Sequence, residues 1–439
     1  MKRLIDAELI NWKNRKERKV LLVRGARQTG KTYSIRNLGS TFPSFLEINF
    51  EENPQICSFF KDSHNPFEIN EKLSFYFNMP IKPGETLLFF DEIQACPDAL
   101  RALRFYYEKI PELHVAAAGS LLEFALAEIP SFGVGRIESL FMYPMTFEEF
   151  LDAAGYTMLN QAIASASPLK PIDPLVHNKI LDRLKIYLVI GGMPAVVKTY
   201  IREKNLEPCL IELDNILNTI YDDFSKYGKK IPVITLKEAF KAVVYQSGCK
   251  FKYSNIGDGV STSHFKNALD LLINAGLVYR IFHTSARGIP LGAQLNLKKF
   301  KTLIYDIGIY QRVSGLDIAQ HMISDFSVLV NKGSLCELFV GLELISSYSP
   351  RIRPEIYCWH REARSSNAEV DYVISKSSQI IPIEVKSGMR GQMQSLWLFM
   401  NERNLKTGVR ISSENFARYN GIKSIPLYAA RSLLKMELD

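Results

Sequence analysis

Two stretches of this 439-residue chain carry side chains that could do chemistry together. The first is GARQTGKT at 25–32, which has the spacing GxxxxGK[ST]. Its glycines let the backbone N–H groups of Gly25, Ala26, Arg27, Gln28, Thr29 and Gly30 wrap phosphate oxygens, and a helix starting there would add a dipole that favours negative charge. Lys31 is then expected to reach the β- and γ-phosphates, and Thr32 to ligate Mg²⁺. Downstream, TLLFFDEIQ at 86–94 is an apolar run ending in two acids. Asp91 can hold the water shell of the Mg²⁺, and Glu92 can polarise an attacking water as general base. An acid at that place would also suit the N-cap of a following helix, but the upstream loop favours the catalytic use. The second stretch is EVDYVIS followed by IPIEVKSG, with Asp371, Glu384 and Lys386. On a strand, period two puts Glu384 and Lys386 on one face. A metal held by these carboxylates could generate hydroxide for phosphodiester hydrolysis. A surface hairpin with solvated ion pairs would use the same residue types.

These residues need elements to position them. The first 150 residues alternate helical stretches with apolar β-runs at Val20–Arg24, Phe45–Phe50, Thr86–Phe90, His114–Ala118 and Ile137–Tyr143. Runs apolar throughout suit buried parallel strands in an α/β sheet. Residues 151–222 read as helical, with GGMP at Gly191–Pro194 as the one clear break. From 223 to 300 the order is helix Leu236–Gln246, a turn led by Ser254, helix Ser263–Asn274, a stop at Gly276, a β-run Leu277–Phe282, a small-residue turn and a β-run Ala293–Leu297. That order is the one a winged helix has. Its recognition helix would present Ser261, Thr262, His264, Lys266 and Asn267, groups that bond phosphates and base edges. Residues 301–439 return to α/β, with a helix at Leu335–Ser346 and β-runs Ile356–Trp359, Glu369–Ser375 and Ile380–Lys386.

Composition sets the outer limits. A length of 439 residues implies about three domains, and 47% apolar with 23% charged residues is a folded globular balance that excludes a disordered or fibrous chain. The N-terminus lacks the apolar run of a secretory signal, and Val115–Ala127 is too short to span a bilayer, so a cytoplasmic protein with no membrane partner is expected. Six scattered cysteines (Cys57, Cys96, Cys209, Cys249, Cys336 and Cys358) have no zinc-ligand spacing and read as reduced thiols. Between Lys226 and Lys301 stand thirteen Lys and Arg against three acids, an excess of ten in a chain whose net charge is +8. Such a segment attracts polyanions, so DNA or RNA is an expected partner through 226–301.

The first 150 residues resemble the AAA+ ATPases. The resemblance implies a γ-phosphate sensor at Ser120 in AAAGSLL. It also implies that Arg136, in GRIESLFMYPMTFEEF, lies near phosphate in its own or a neighbouring subunit of a homo-oligomer. A surface ion pair is the other use open to Arg136. Over nearly the whole length, the run GARQTGKT, FFDEIQ, AAAGSLL, GRIESLFMYPMTFEEF, GGMP and EVDYVIS…IPIEVKSG is similar to bacterial and archaeal ATPases with an AAA-type N-terminal domain and a DUF4143-type C-terminal region. The late motif also resembles the PD-(D/E)xK nuclease core. There Asp371 and Glu384 would bind metal, Lys386 would assist the attacked phosphate, and Glu337 would match the core's helical glutamate; Val370 stands where the fuller pattern has proline.

The fold class expected is therefore α/β: a P-loop AAA+ parallel-sheet domain (1–150), a helical lid (151–222), a winged helix (223–300) and a restriction-endonuclease-like domain (301–439). The function expected is Mg²⁺-dependent ATP hydrolysis coupled to nucleic-acid binding or processing. The alternative is an ATP-dependent switch or scaffold acting through protein contacts. A small-molecule kinase fits less well, because Glu92 suits water activation better than transfer to a bound acceptor.

Overall fold

The computed structural model describes residues 1–120, 122, 126, 135–227, 231–253, 261–315, 333–361, 368–386 and 393–437. The turn expected at Ser254 lies outside them. The chain divides into two compact units, one formed by Met1–Pro144 with Asn274–Gly276 and Pro350–Arg353, the other by the remainder.

In the first unit, α1 (Ile5–Lys13) precedes β1 (Val20–Arg24), α2 (Lys31–Gly39), β2 (Ser44–Asn49), α3 (Ser58–Lys61), α4 (Pro66–Phe77), β3 (Thr86–Asp91), α5 (Pro97–Lys109), β4 (His114–Ala118) and β5 (Ile137–Phe141). The strands form one parallel sheet in the order β2-β3-β4-β1-β5. Alternation along each strand feeds two cores, as a sheet covered on both faces requires. Val20, Leu22, Leu88 and Phe90 face one core with α4 and α5, while Leu21, Val23, Leu87 and Phe89 face another with α1 and α2. All the expected β-runs here are strands, within two residues at their ends.

In the second unit, α6 (Phe147–Ala153), α7 (Thr157–Ser165), α8 (Pro174–Ile190), α9 (Pro194–Glu203), α10 (Glu207–Tyr227), α11 (Val233–Tyr245) and α12 (Thr262–Asn274) lead into the hairpin β6 (Val278–Thr284) and β7 (Leu295–Ile304). Then come α13 (Ile307–Val313), α14 (Gly333–Ser347), β8 (Tyr357–His360), β9 (Glu369–Lys376), β10 (Gln379–Val385), α15 (Gln394–Glu402), β11 (Gly408–Ser412), β12 (Ala417–Tyr419) and β13 (Ile422–Pro426). One mixed eight-stranded sheet runs β12-β13-β11-β10-β9-β8-β6-β7. The β6–β7 hairpin joins it through the parallel pair His283 and Cys358.

One reading changes here. The β-run expected over Ala293–Leu297 is a short 3-10 turn over Leu291–Gln294 followed by a strand that continues to Ile304. The lysines of LKKFK hid that continuation because their charge reads as surface. The strand therefore runs across the 300/301 division.

GGMP breaks the helical stretch for a specific reason. Gly191 ends α8 with φ +72°, and a Cβ there would lie 2.5 Å from Asp306 Oδ1. Asp306 is buried, accepts from Gly192 N–H at 2.8 Å, and caps α13 by accepting from Ile309 N–H at 3.0 Å. The six cysteines form no disulfide; four are buried, Cys57 is half-buried and Cys249 is exposed.

Candidate functional site

The loop between β1 and α2 lies at the C-terminal end of the parallel sheet, where ligands of such sheets bind. Gly25 has φ +151°, and a Cβ on it would lie 2.2 Å from the Met142 carbonyl oxygen, so only glycine lets the chain pass. Gly30 stands in the left-handed region at the N-terminus of α2, with φ +96°. Gln28 is left-handed as well, with φ +62°. The loop is tied from within and without. Thr29 Oγ1 donates to Ala26 O at 2.9 Å, and the buried Arg3 donates to Thr29 O at 2.6 Å. Arg27 sits 3.9 Å from Glu51 on the surface.

Lys31 curls over the loop and donates to Gly25 O at 3.0 Å and Ala26 O at 2.8 Å. Burial pushes its pKa down to about 8, against the pull of Glu92 and Asp91. A lysine so placed is a poised ammonium for phosphate oxygens. Thr32 Oγ1 donates to Asp91 Oδ2 at 3.0 Å, which brings the two expected Mg²⁺ groups together. Burial raises Asp91 to about 6, partly offset by the Thr32 hydrogen bond. Asp91 caps no helix: the 3-10 turn Ile93–Ala95 begins at Glu92 and α5 begins after Cys96, and neither has a side-chain cap.

Glu92 is held in the left-handed region, with φ +48°. Its Oε2 accepts from Gln94 Nε2 at 2.6 Å and from Ser120 Oγ at 3.4 Å. Ser120, just past β4, therefore meets the same carboxylate as Gln94. Gln94 is a residue that sequence reasoning left without a role. A Cβ at Gly119 would lie 2.0 Å from Gln94 Oε1, so the gap at Gly119 is what admits the amide.

Arg136 is not brought to this cluster. It precedes Ile137, which pairs with Val20 at the start of β1, whereas the loop follows Arg24 at its end. A five-residue strand puts about 16 Å between those edges. Arg136 is half-exposed and donates to Glu108 at 2.7 Å.

The late acidic residues of the second unit converge. Glu337 on α14, Asp371 on β9, and Glu384 and Lys386 at the end of β10 share one cluster, and Lys386 Nζ donates to Glu384 Oε1 at 2.6 Å. A fifth member was counted in the sequence as part of the basic segment. Lys301 on β7, with its side chain 1% exposed, donates to Glu337 at 3.2 Å and to Asp371 at 3.3 Å. Burial alone would lower its pKa, but Glu337 and Asp371 outweigh that and hold it well above the ordinary lysine value. Burial and then Asp371 raise both Glu337 and Glu384. Among the described residues no group of three or more His, Cys, Asp or Glu is placed to hold a metal ion.

A phosphate-wrapping loop followed by a Lys-Thr helix start, facing a strand-end Asp-Glu pair on a parallel sheet, defines a P-loop nucleotide-binding domain. Residues 17–151 match the AAA domain family AAA_14, so the chain carries an AAA-type ATPase domain. Residues 332–430 match a domain of unknown function, DUF4143, and residues 181–320 another, DUF8612. Among curated proteins none matches. Among solved structures, the Walker-type ATPase PABY2304 of Pyrococcus abyssi is 14% identical with a TM-score of 0.44, over 71% of this chain and 95% of that one. PCH-2 of C. elegans is 12% identical with a TM-score of 0.23, over 62% of this chain and 65% of its own. The S. cerevisiae Hsp104–ADP complex is 12% identical with a TM-score of 0.29, over 63% and 38%. Among the described residues no helix is long and apolar enough to cross a membrane.

Proposed function

We propose that this chain binds ATP with Mg²⁺ at 25–32, hydrolyses it, and couples turnover to binding nucleic acid. The observation that carries the ATPase reading is the pairing of Thr32 with Asp91 beside a Glu92 held by Gln94 and Ser120. In this reading Lys31 and the loop N–H groups hold the phosphates, and Thr32 and Asp91 hold the Mg²⁺ shell. Mg²⁺ supplies charge neutralisation at the phosphates. Glu92 takes the proton of the attacking water, with Gln94 fixing one carboxylate oxygen so that the other faces the water. Ser120 adjusts Glu92 through their shared bond. In this reading Arg136 acts across a contact with a second copy of the chain.

The nucleic-acid half rests on α12. Its Phe265, Ala268, Leu269 and Leu272 are buried, while Ser261, Thr262, His264, Lys266 and Asn267 are all exposed, as a recognition helix needs. Helix, helix and the β6–β7 hairpin then fit a winged helix. One observation favours the second reading, a switch acting through protein contacts. Among the described residues, at least four of these basic residues are paired within the unit: Lys226 with Asp223, Lys241 with Glu238, Arg280 with Asp270, and Lys301 with Glu337 and Asp371. The deciding experiment measures ATP turnover with and without single-stranded DNA, duplex DNA and RNA. Stimulation by any of them supports coupling. Equal rates with all of them leave the switch.

A further inference from the structure

The late cluster has the acids of a metal site, and the divalent cation that a nuclease-like reading calls for does not fit it. A Mg²⁺ needs oxygens at about 2.0–2.1 Å from several sides. The place between Glu337 and Asp371 is taken by an ammonium at 3.2 and 3.3 Å. The other oxygen of Asp371 accepts from the Val385 N–H at 2.8 Å. Glu384 Oε1 is bonded to Lys386 at 2.6 Å, which leaves Glu384 Oε2 buried and, among the described residues, without a hydrogen-bond partner.

We infer that Lys301 is a resident cation, filling the position a divalent ion would hold, so that the native chain takes up no metal at Glu337, Asp371 and Glu384. The lysine cannot easily step aside. It sits in the paired part of β7, opposite Ile281 on one side and bridged to Lys250 on the other. Its stem is enclosed, so leaving the carboxylates would strand a buried charge, which is strongly unfavourable. The chemistry of the cluster is thereby fixed by one residue. Replace the ammonium with a neutral group and, among the described residues, Lys386 on Glu384 is the one cation still bonded to the three acids, and the orphaned Glu384 oxygen becomes a ligand.

The test counts bound Mn²⁺ by electron paramagnetic resonance on the full, nucleotide-free chain. Parent, Lys301→Gln, Lys301→Ala and the double variant Lys301→Gln/Asp371→Asn are compared, each with a melt in Mn²⁺ and in EDTA. The parent and the double variant are expected to show the same Mn²⁺ uptake, and the two single variants one further ion, with a melting temperature raised by Mn²⁺. A parent that takes up more Mn²⁺ than the double variant overturns the inference, as do single variants that fold but gain no ion. If a single variant folds only with Mn²⁺ present, the ion has replaced the lysine. If neither folds with or without Mn²⁺, the position is not one a metal can hold, and the inference fails. No arm depends on ATP turnover, so the outcome is independent of the ATPase reading.

Discussion

At the scale of single residues, Lys31 and Glu92 separate two steps of one reaction. Lys31→Ala is expected to abolish ATP binding in a fluorescent-nucleotide titration, while Glu92→Gln keeps binding and slows turnover by about 10²–10⁴-fold, the usual worth of a positioned base. Parental turnover in Glu92→Gln would mean that another group activates the water. Acidity sets a window around these residues. Asp91, raised to about 6, is protonated as pH falls through that value and stops serving Mg²⁺; Lys31, lowered to about 8, loses its charge as pH rises through that value in the nucleotide-free protein. Nucleotide affinity measured with Mg²⁺ should accordingly be greatest between about pH 6 and 8 and weaken on both sides. A flat profile from pH 5 to 9 would contradict the burial described for both groups. The loop and its two acids were legible in the sequence, because their backbone and charge requirements are local. Gln94 and Lys301 were not. Gln94 matters only through the gap at Gly119, and Lys301 looks like any surface lysine until β7 carries it between two acids.

At the scale of elements, two local devices can be tested by their loss. Thr146 and Glu149 form a reciprocal cap at the start of α6, with Thr146 Oγ1 accepting from Glu149 N–H at 3.2 Å and Glu149 accepting from Thr146 N–H at 2.8 Å. Thr146→Ala should lower stability by about 1–2 kcal/mol in a urea melt. Gly191→Ala places a methyl group against Asp306 in a left-handed backbone, and should cost more than the cap, by roughly 2–4 kcal/mol. If the two variants melt alike, the Gly191 turn relaxes more readily than its neighbours suggest. Strands β1, β3 and β4 of the first unit were legible because each is built on an apolar run, while β2 and β5 keep enough apolar residues to be read despite Glu47 and Glu138 within them. The last part was read less fully: β11, β12 and β13 drew no expectation, since VRIS, ARY and IKSIP mix charge into short runs whose burial comes from the sheet beside them. Arg410 and Lys423 are both buried there despite their charge.

At the scale of the whole molecule, the basic segment makes a prediction about salt. If α12 meets nucleic acid, affinity should fall steeply between low and moderate ionic strength, and charge reversal at the exposed Lys250, Lys252 and Lys266 should flatten that slope. Retained affinity in the triple reversal would move the interface elsewhere. The eight-stranded sheet has a different kind of consequence, for anyone cutting the chain into pieces. A fragment beginning after Ile304 would keep β8–β13 but lose β6 and β7, and Tyr357–His360 would become a bare, apolar strand edge with unmatched N–H and C=O groups. Such an edge recruits further chains. The fragment is expected to collect in inclusion bodies, while one that begins before α11 and keeps the hairpin stays dispersed, so the length of soluble C-terminal pieces reads out where β8 finds its neighbour.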